Sequence, residues 1–237
     1  MIYDNIIKRI NESIALAEMG ISNLPNWIYF LNGQSSPKIR RLLNLLGYFA
    51  NFVLEVGCWR GSTLISTLYN NKNLNATIVE NFSQFNDVNN ALYIDTLISM
   101  FDWAKREFIP KYDAKTELLM RLKQCGMMDQ CNLIVGDFFA EETQIKLREE
   151  NKKFDIYFYD ALHDEESQKQ AIEKVVDILN RPSIILIDDW NMESVQTGTI
   201  KGIQNTDLKV IRQWILLGKH NGDMINFWNS LSIFLVE

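Results

Sequence analysis

Phe52-Val53-Leu54-Glu55-Val56-Gly57-Cys58-Trp59-Arg60-Gly61-Ser62-Thr63 is the stretch on which the fold turns. Its apolar opening is too short for a globular helix and reads as a buried strand, which two glycines then turn into a helix. Glycine permits a tight turn and close approach of backbone to a ligand, and the helix N-terminus supplies free N–H groups at its positive dipole end. Outward from this unit, Ala76 to Val79, Cys131 to Val135, Ile156 to Tyr159 and Ser183 to Ile187 repeat the same short apolar run between helical segments. Strands alternating with helices predict an α/β, doubly wound, mostly parallel sheet, and the continuity of each run predicts burial on both faces. The chain finishes differently. Val210 to Leu217 and Phe227 to Val236, separated by His220-Asn221-Gly222-Asp223, predict a hairpin-like antiparallel pair.

Before the sheet, residues 1–50 read as a helical cap on a domain of residues 51–237. Ile6, Ile7, Ile10 and Ile14 recur at helical spacing up to Gly20, and Ser36-Pro37 caps a second helix that carries Ile39, Leu42, Leu43 and Leu46 to Gly47. Between Glu80 and Cys131 the chain is longer than one crossover needs. Lys115 to Gln124 supplies the crossover helix, and Ile94, Leu97, Ile98, Phe101 and Phe108 form a helical stripe in an insertion at about 87–113, read as an extra packed helix, a substrate lid or a subunit contact.

Composition narrows the classes. With 47% hydrophobic and 23% charged residues the chain is not disordered, and a net charge of −6 provides no summed basic field for nucleic acid or anionic lipid. Cys58, Cys125 and Cys131 are odd in number and form no CxxC pair, which fits a reducing compartment and no zinc knuckle. Asp4, Lys8 and Arg9 interrupt the apolar N-terminus, and no apolar run approaches the roughly 18 residues of a membrane span. The expectation is a cytoplasmic protein without membrane or nucleic-acid partners; a homo-oligomer is left open.

The glycine turn is not a dinucleotide fingerprint, because Trp59 stands where GxGxxG has its middle glycine. Glu55, two residues before Gly57, argues the same way. Two like charges about 4 Å apart at an effective dielectric of about 20 repel by on the order of 4 kcal/mol, so a carboxylate facing the turn disfavours pyrophosphate and favours a cationic amino group or sulfonium. That selects S-adenosylmethionine over NAD. Glu80 ends the next strand where an acid accepts hydrogen bonds from ribose hydroxyls, and Gly136-Asp137-Phe138 ends the third with an acceptor for an adenine amino group and a ring to stack on the base.

Two more strands end in acids, at Asp160 and at Asp188-Asp189. Neighbouring strands lie about 4.8 Å apart, so these carboxylates can share a point, and their repulsion is relieved by a hard dication. Oxygen ligands indicate Mg²⁺ before zinc. Strand alternation would separate Asp188 from Asp189, so shared binding requires a turn after Asp188. His163, three residues past Asp160, has an ordinary pKa of about 6.5 and can accept a hydroxyl proton; its bland reading is a surface or helix-capping role.

Glu55-Val56-Gly57-Cys58-Trp59-Arg60-Gly61, Glu80 and Gly136-Asp137 together resemble the successive cofactor motifs of class I S-adenosylmethionine-dependent methyltransferases. The resemblance implies a Rossmann-like seven-stranded sheet ending in a reversed strand, for which Trp228 to Phe234 is the candidate. It implies cofactor contacts from Glu55, Gly57, Trp59, Gly61, Ser62, Glu80, Asp137 and Phe138. Asp160-x-x-His163 with Asp188-Asp189 further resembles Mg²⁺-dependent O-methyltransferases acting on sugars of natural products. That implies Asp160, Asp188 and Asp189 as metal ligands, His163 and Asp160 as catalytic, and a small-molecule or glycan substrate. A nicotinamide-dependent oxidoreductase is one alternative. A non-catalytic binding module presenting Trp59, Trp103 and Trp190 is the other.

Overall fold

The computed structural model describes residues 2–83 and 113–237. The insertion's apolar stripe and Trp103 lie outside them.

Helix α1 (Ile2–Glu18) and helix α2 (Pro37–Gly47) precede the sheet. The Ser36 hydroxyl accepts from the Ile39 N–H at 3.3 Å and Pro37 occupies the first turn, so α2 starts where its capping signal lies. Strand β1 (Phe52–Val56) leads into α3 (Ser62–Leu68), and β2 (Asn75–Glu80) follows. Helix α4 (Ala114–Gln124) then feeds β3 (Cys131–Val135). The remaining crossovers are α5 (Glu141–Glu149), β4 (Phe154–Tyr159), α6 (Glu165–Glu173), β5 (Leu179–Ile187) and α7 (Glu193–Gln204). Two strands close the chain, β6 (Val210–Leu216) and β7 (Leu231–Val236).

The seven strands run in the order β3-β2-β1-β4-β5-β7-β6. The first five are mutually parallel, and β7 is antiparallel to both β5 and β6. This is the Rossmann-like, mostly parallel sheet with a reversed terminal strand that the sequence predicts. Alternation along each strand divides the core between two helical layers. Val53, Ile78, Phe158 and Ile233 face the layer that contains Ile10, Ile39, Leu42, Leu64 and Leu118. Their neighbours Leu54, Val79, Tyr157 and Phe234 face Leu147, Ile172 and Val195 on the other side. The N-terminal helices thus share one of the sheet's two cores.

One expectation needs correction. Strand β3 is not buried on both faces: it is the sheet edge, with Asn132 and Val135 exposed. Strands β6 and β7 form the expected antiparallel pair, and residues 217–230 between them form a loop closed by an Asp223–Trp228 bridge. Asp223 organises it, its carboxylate accepting from the N–H groups of Lys219, Ile225 and Asn226 at 2.9 to 3.0 Å.

The parallel register aligns the strand ends. Val56 pairs with Val79 and Tyr159, and Tyr159 with Ile187. Gly57, Asp160 and Asp188 each donate one more backbone bond across the sheet. The turn after β1 and the acids after β4 and β5 therefore meet at one carboxyl edge, where doubly wound sheets bind ligands.

Candidate active site

The turn between β1 and α3 departs from ordinary backbone three times. Gly57, Trp59 and Gly61 have φ of 90°, 45° and 77°. At Gly57 an added Cβ would lie 1.9 Å from the Asp160 carbonyl oxygen, so this glycine is required by the neighbouring strand end. Trp59 stands where the dinucleotide fingerprint would have its second glycine, and it adopts the left-handed backbone a glycine would take freely. A non-glycine residue there stores about 1–2 kcal/mol, offset here by a 2.7 Å bond from the Trp59 N–H to Glu80 Oε2. The Arg60 guanidinium stacks over the Trp59 ring at 4.9 Å and pairs with Glu117, which also pairs with Arg121. Arg121 in turn donates to the Arg60 and Asn32 carbonyls, fastening α4 to the turn and to the loop before α2.

Two clefts flank the turn and share Gly57. One, of about 30 Å³, is lined by Gly33, Gln34, Trp59, Ser62 and Asp160. The other, of about 50 Å³, is lined by Glu80, Asp137, Phe138 and Leu162. Among the residues predicted to hold a cofactor, Gly57, Trp59, Ser62, Glu80, Asp137 and Phe138 line one or both. Gly61 does not; it turns the chain into α3, whose N-cap it forms. Glu55 lines neither cleft, contrary to the reading that it faces the turn. It is 1% exposed, and its carboxylate accepts from the Thr63 hydroxyl at 2.5 Å. Burial drives its pKa up, against the Thr63 bond and with the Glu80 charge, to about 7. Glu80 Oε1 accepts from the Phe82 N–H at 2.7 Å, which with the Trp59 bond leaves each oxygen one lone pair for a ligand. Asp137 accepts from the Phe139 N–H at 2.9 Å, and Phe138 meets Phe139 and Tyr159 edge-on.

Asp160, His163 and Asp189 bring one ligand atom each to within 4.8 Å of the others, from the ends of β4 and β5. The turn required after Asp188 is present, for Asp189 has a φ of 53°. It carries Asp189 into the cluster and leaves Asp188 outside the trio, so the oxygen-only set of Asp160, Asp188 and Asp189 is not the group that converges. His163 takes the third place. Its Nε2 lies 2.7 Å from Asp189 Oδ2, an ion pair when the imidazole is protonated. Asp188 Oδ1 is buried without a hydrogen-bond partner among the described residues. Burial pushes the Asp160 carboxyl well up, reinforced by Asp189 and opposed by His163. Asp188 is pushed up by burial and then by Asp160 and Asp189. Burial pulls His163 down, and the carboxylates of Asp189, Asp160 and Asp164 more than reverse it, so the net shift is upward. Carboxylates held this close, beside a buried Asp188 oxygen without a hydrogen-bond partner among the described residues, fit a cation.

Sequence reasoning missed three participants. Asn229 Nδ2 donates to Asp189 Oδ1 at 2.5 Å and fixes that carboxylate. Gly33 approaches the N-terminus of α3 so closely that a Cβ would lie 1.9 Å from the Ser62 hydroxyl. Thr63 holds Glu55. The first two come from segments distant in sequence, and an Asn in a loop or a glycine before a cap carries no local sign of such a contact.

The family described as "Methyltransferase domain" matches residues 54–190, from β1 through both acid-bearing strand ends. The chain belongs to this methyltransferase family. No curated protein matches it by sequence. Among solved structures, the methyltransferase fold is shared with TomG of Streptomyces achromogenes, an O-methyltransferase of tomaymycin synthesis solved with SAM, at a TM-score of 0.55 and 14% identity over 96% of this chain and 89% of that one. An O-methyltransferase from Bacillus cereus, solved with SAH, superposes at 0.54 with 12% identity over 96% and 90%. The SAH-bound methyltransferase PaMTH1 of Podospora anserina does so at 0.53 with 14% identity over 96% and 94%. No described helix of this methyltransferase-family chain is long and apolar enough to cross a membrane.

Proposed function

We propose that the chain is an S-adenosylmethionine-dependent O-methyltransferase that methylates, with metal assistance, a hydroxyl of a glycan or small polyol. The observation that carries this reading is the convergence of Asp160, His163 and Asp189 beside the glycine turn of a methyltransferase-family sheet. The neighbours named above were solved with SAM or SAH, and their shared fold supports the cofactor assignment.

The two clefts joined at Gly57 suit a two-part ligand. Glu80 would accept from ribose hydroxyls, with Asp137 and Phe138 beside the base, while Trp59, Ser62 and the turn would receive the aminoacyl part. Glu55 would act from behind the turn through Thr63. When bound, S-adenosylmethionine supplies an electrophilic methyl group, and a dication supplies a Lewis acid that eases ionisation of a hydroxyl. Asp160 and Asp189 would hold the cation; Asn229 orients Asp189. Neutral His163 would take the hydroxyl proton at Nε2, and the close packing of these groups supplies proximity.

The position of His163 within the cluster favours a second reading of its role. As a third ligand it makes a donor set of one nitrogen and two carboxylates, better suited to Mn²⁺ or Fe²⁺ than to Mg²⁺. Transfer of labelled methyl from S-adenosylmethionine to a panel of sugars, after chelation and readdition of each metal, tests both. Loss of transfer in chelator with recovery in Mg²⁺ is expected for His163 as base, and recovery only in Mn²⁺ or Fe²⁺ for His163 as ligand. Full transfer in chelator removes the metal. Asp160→Ala and His163→Ala are expected to abolish transfer while S-adenosylhomocysteine still binds.

A further inference from the structure

A cavity of about 450 Å³ adjoins the cleft that contains Asp160; Tyr29, Phe30, Gln34, Arg41, Met224 and Trp228 are among the described residues lining it. Its volume is that of a small-molecule site. One route joins it to the reactive end: Gly33 and Gln34 line both this cavity and the cleft that contains Asp160.

The walls differ in character from the cluster they lead to. Among the described residues the charged ones lining the cavity are Arg40 and Arg41, and none is an acid. Arg40 is committed to structure: its guanidinium donates to Ser35 and to the carbonyls of Ile28, Leu31 and Gly33, shaping the loop that forms one wall. Arg41 is half-buried and differently placed. Its Nε donates to the Tyr29 hydroxyl at 3.1 Å and its guanidinium lies 4.7 Å from the Tyr29 ring, and no carboxylate pairs with it among the described residues. A stacked guanidinium without a carboxylate partner, in a cavity without acids among the described residues, suits a carboxylate or phosphate. Tyr29 and Phe30 offer faces on which a ring can lie.

The geometry points to this cavity as the acceptor site, and to the acceptor as a hydroxylated sugar ring carrying an anionic group. The anion sits at Arg41, the ring lies against the aromatic walls, and the reacting hydroxyl is turned towards Asp160 and Asp189. The field itself orients the molecule, since the cationic end of the cavity attracts the anion and the acidic end repels it. This assignment rests on the methyl-transfer reading given above.

Calorimetric titration of the full-length protein with glucose, glucuronate and glucose 6-phosphate, in the presence of S-adenosylhomocysteine, tests it. At least one of the two anions is expected to bind about tenfold or more tightly than glucose, as a charge-assisted bond to one guanidinium implies, and the tighter one identifies carboxylate or phosphate. Arg41→Gln is expected to abolish the preference. Met224→Glu, on the exposed rim, disturbs folding least and is expected to weaken the anions while leaving glucose as it was. Equal affinity for charged and neutral sugars, a preference that survives Arg41→Gln, or no binding of any of the three overturns the assignment. The titration with S-adenosylhomocysteine separates the two levels. Failure to bind it sinks the methyl-transfer reading, whereas its binding without an anion preference sinks only the acceptor site.

Discussion

At Gly57 the backbone of Asp160 passes where a side chain would be, and φ is 90°, so no other residue fits without moving β4 away from β1. Gly57→Ala is expected to cost about 3 kcal/mol or more, read as a fall in the urea midpoint, because strain and collision act together. Glu55 poses the opposite case, a residue whose charge and not its shape is awkward. Its folded pKa of about 7 lies above the ordinary 4.5, so its contribution to stability is fully present below about pH 4.5 and declines as pH rises through 7. The ionised form costs on the order of 3 kcal/mol at pH 8, from about 1.4 kcal/mol per pKa unit. Glu55→Gln keeps an acceptor for Thr63 and is expected to stabilise the protein at pH 8 and leave it nearly unchanged at pH 4.5. Chemical unfolding at both pH values checks this, and a variant equally shifted at both refutes the assignment of the charge. Glu55 also shows what one sequence conceals: an acid two residues before a glycine looks ligand-facing until Thr63 is found to claim it.

Among the elements, β7 has the largest consequence for its length. It is buried along all six residues and lies between β5 and β6, an interior position next to the edge strand. Phe234, 1% exposed and 5.5 Å from the Trp190 ring, anchors one face. Phe234→Ala is expected to destabilise by about 3–5 kcal/mol, seen as a lowered Tm in calorimetry. The strand ends matter as much as the strands. The left-handed residue Asp189 decides which of two adjacent acids joins the cluster, and strand periodicity could state that condition without saying which acid would move. Short apolar runs gave no warning that β3 would form an edge, because burial on a second face depends on what the rest of the chain leaves uncovered.

For the whole molecule, ligand linkage provides the broadest test. A cofactor that binds only the folded chain stabilises it by about 2.7 kcal/mol at one hundred times its dissociation constant. S-adenosylhomocysteine is therefore expected to raise Tm by several degrees, and NAD to leave it unmoved, since the carboxylates of Asp160 and Asp189 at the edge disfavour a pyrophosphate. A shift with NAD alone would revive the oxidoreductase alternative. The same edge joins two opposed fields, carboxylates at Asp160, Asp188 and Asp189 and a guanidinium at Arg41, within a chain whose net charge is only −6. Local placement therefore governs its binding chemistry more than the summed charge.

The sequence by itself determined what depends on neighbours along the chain: the alternation of strand and helix, the cap at Ser36, the glycine turn at 57–61, and the acids at the ends of β2, β4 and β5. Periodicity, capping and strand termination are local physics and leave local marks. Only the tertiary structure decided that His163 and Asp189 approach while Asp188 stands aside, that Asn229 orients the cluster, and that residues 29–41 and 222–228 enclose a cavity beside it. Those outcomes depend on strand register and chain reversal, which bring together side chains from distant segments, and no spacing within one segment encodes a contact whose partner lies in another.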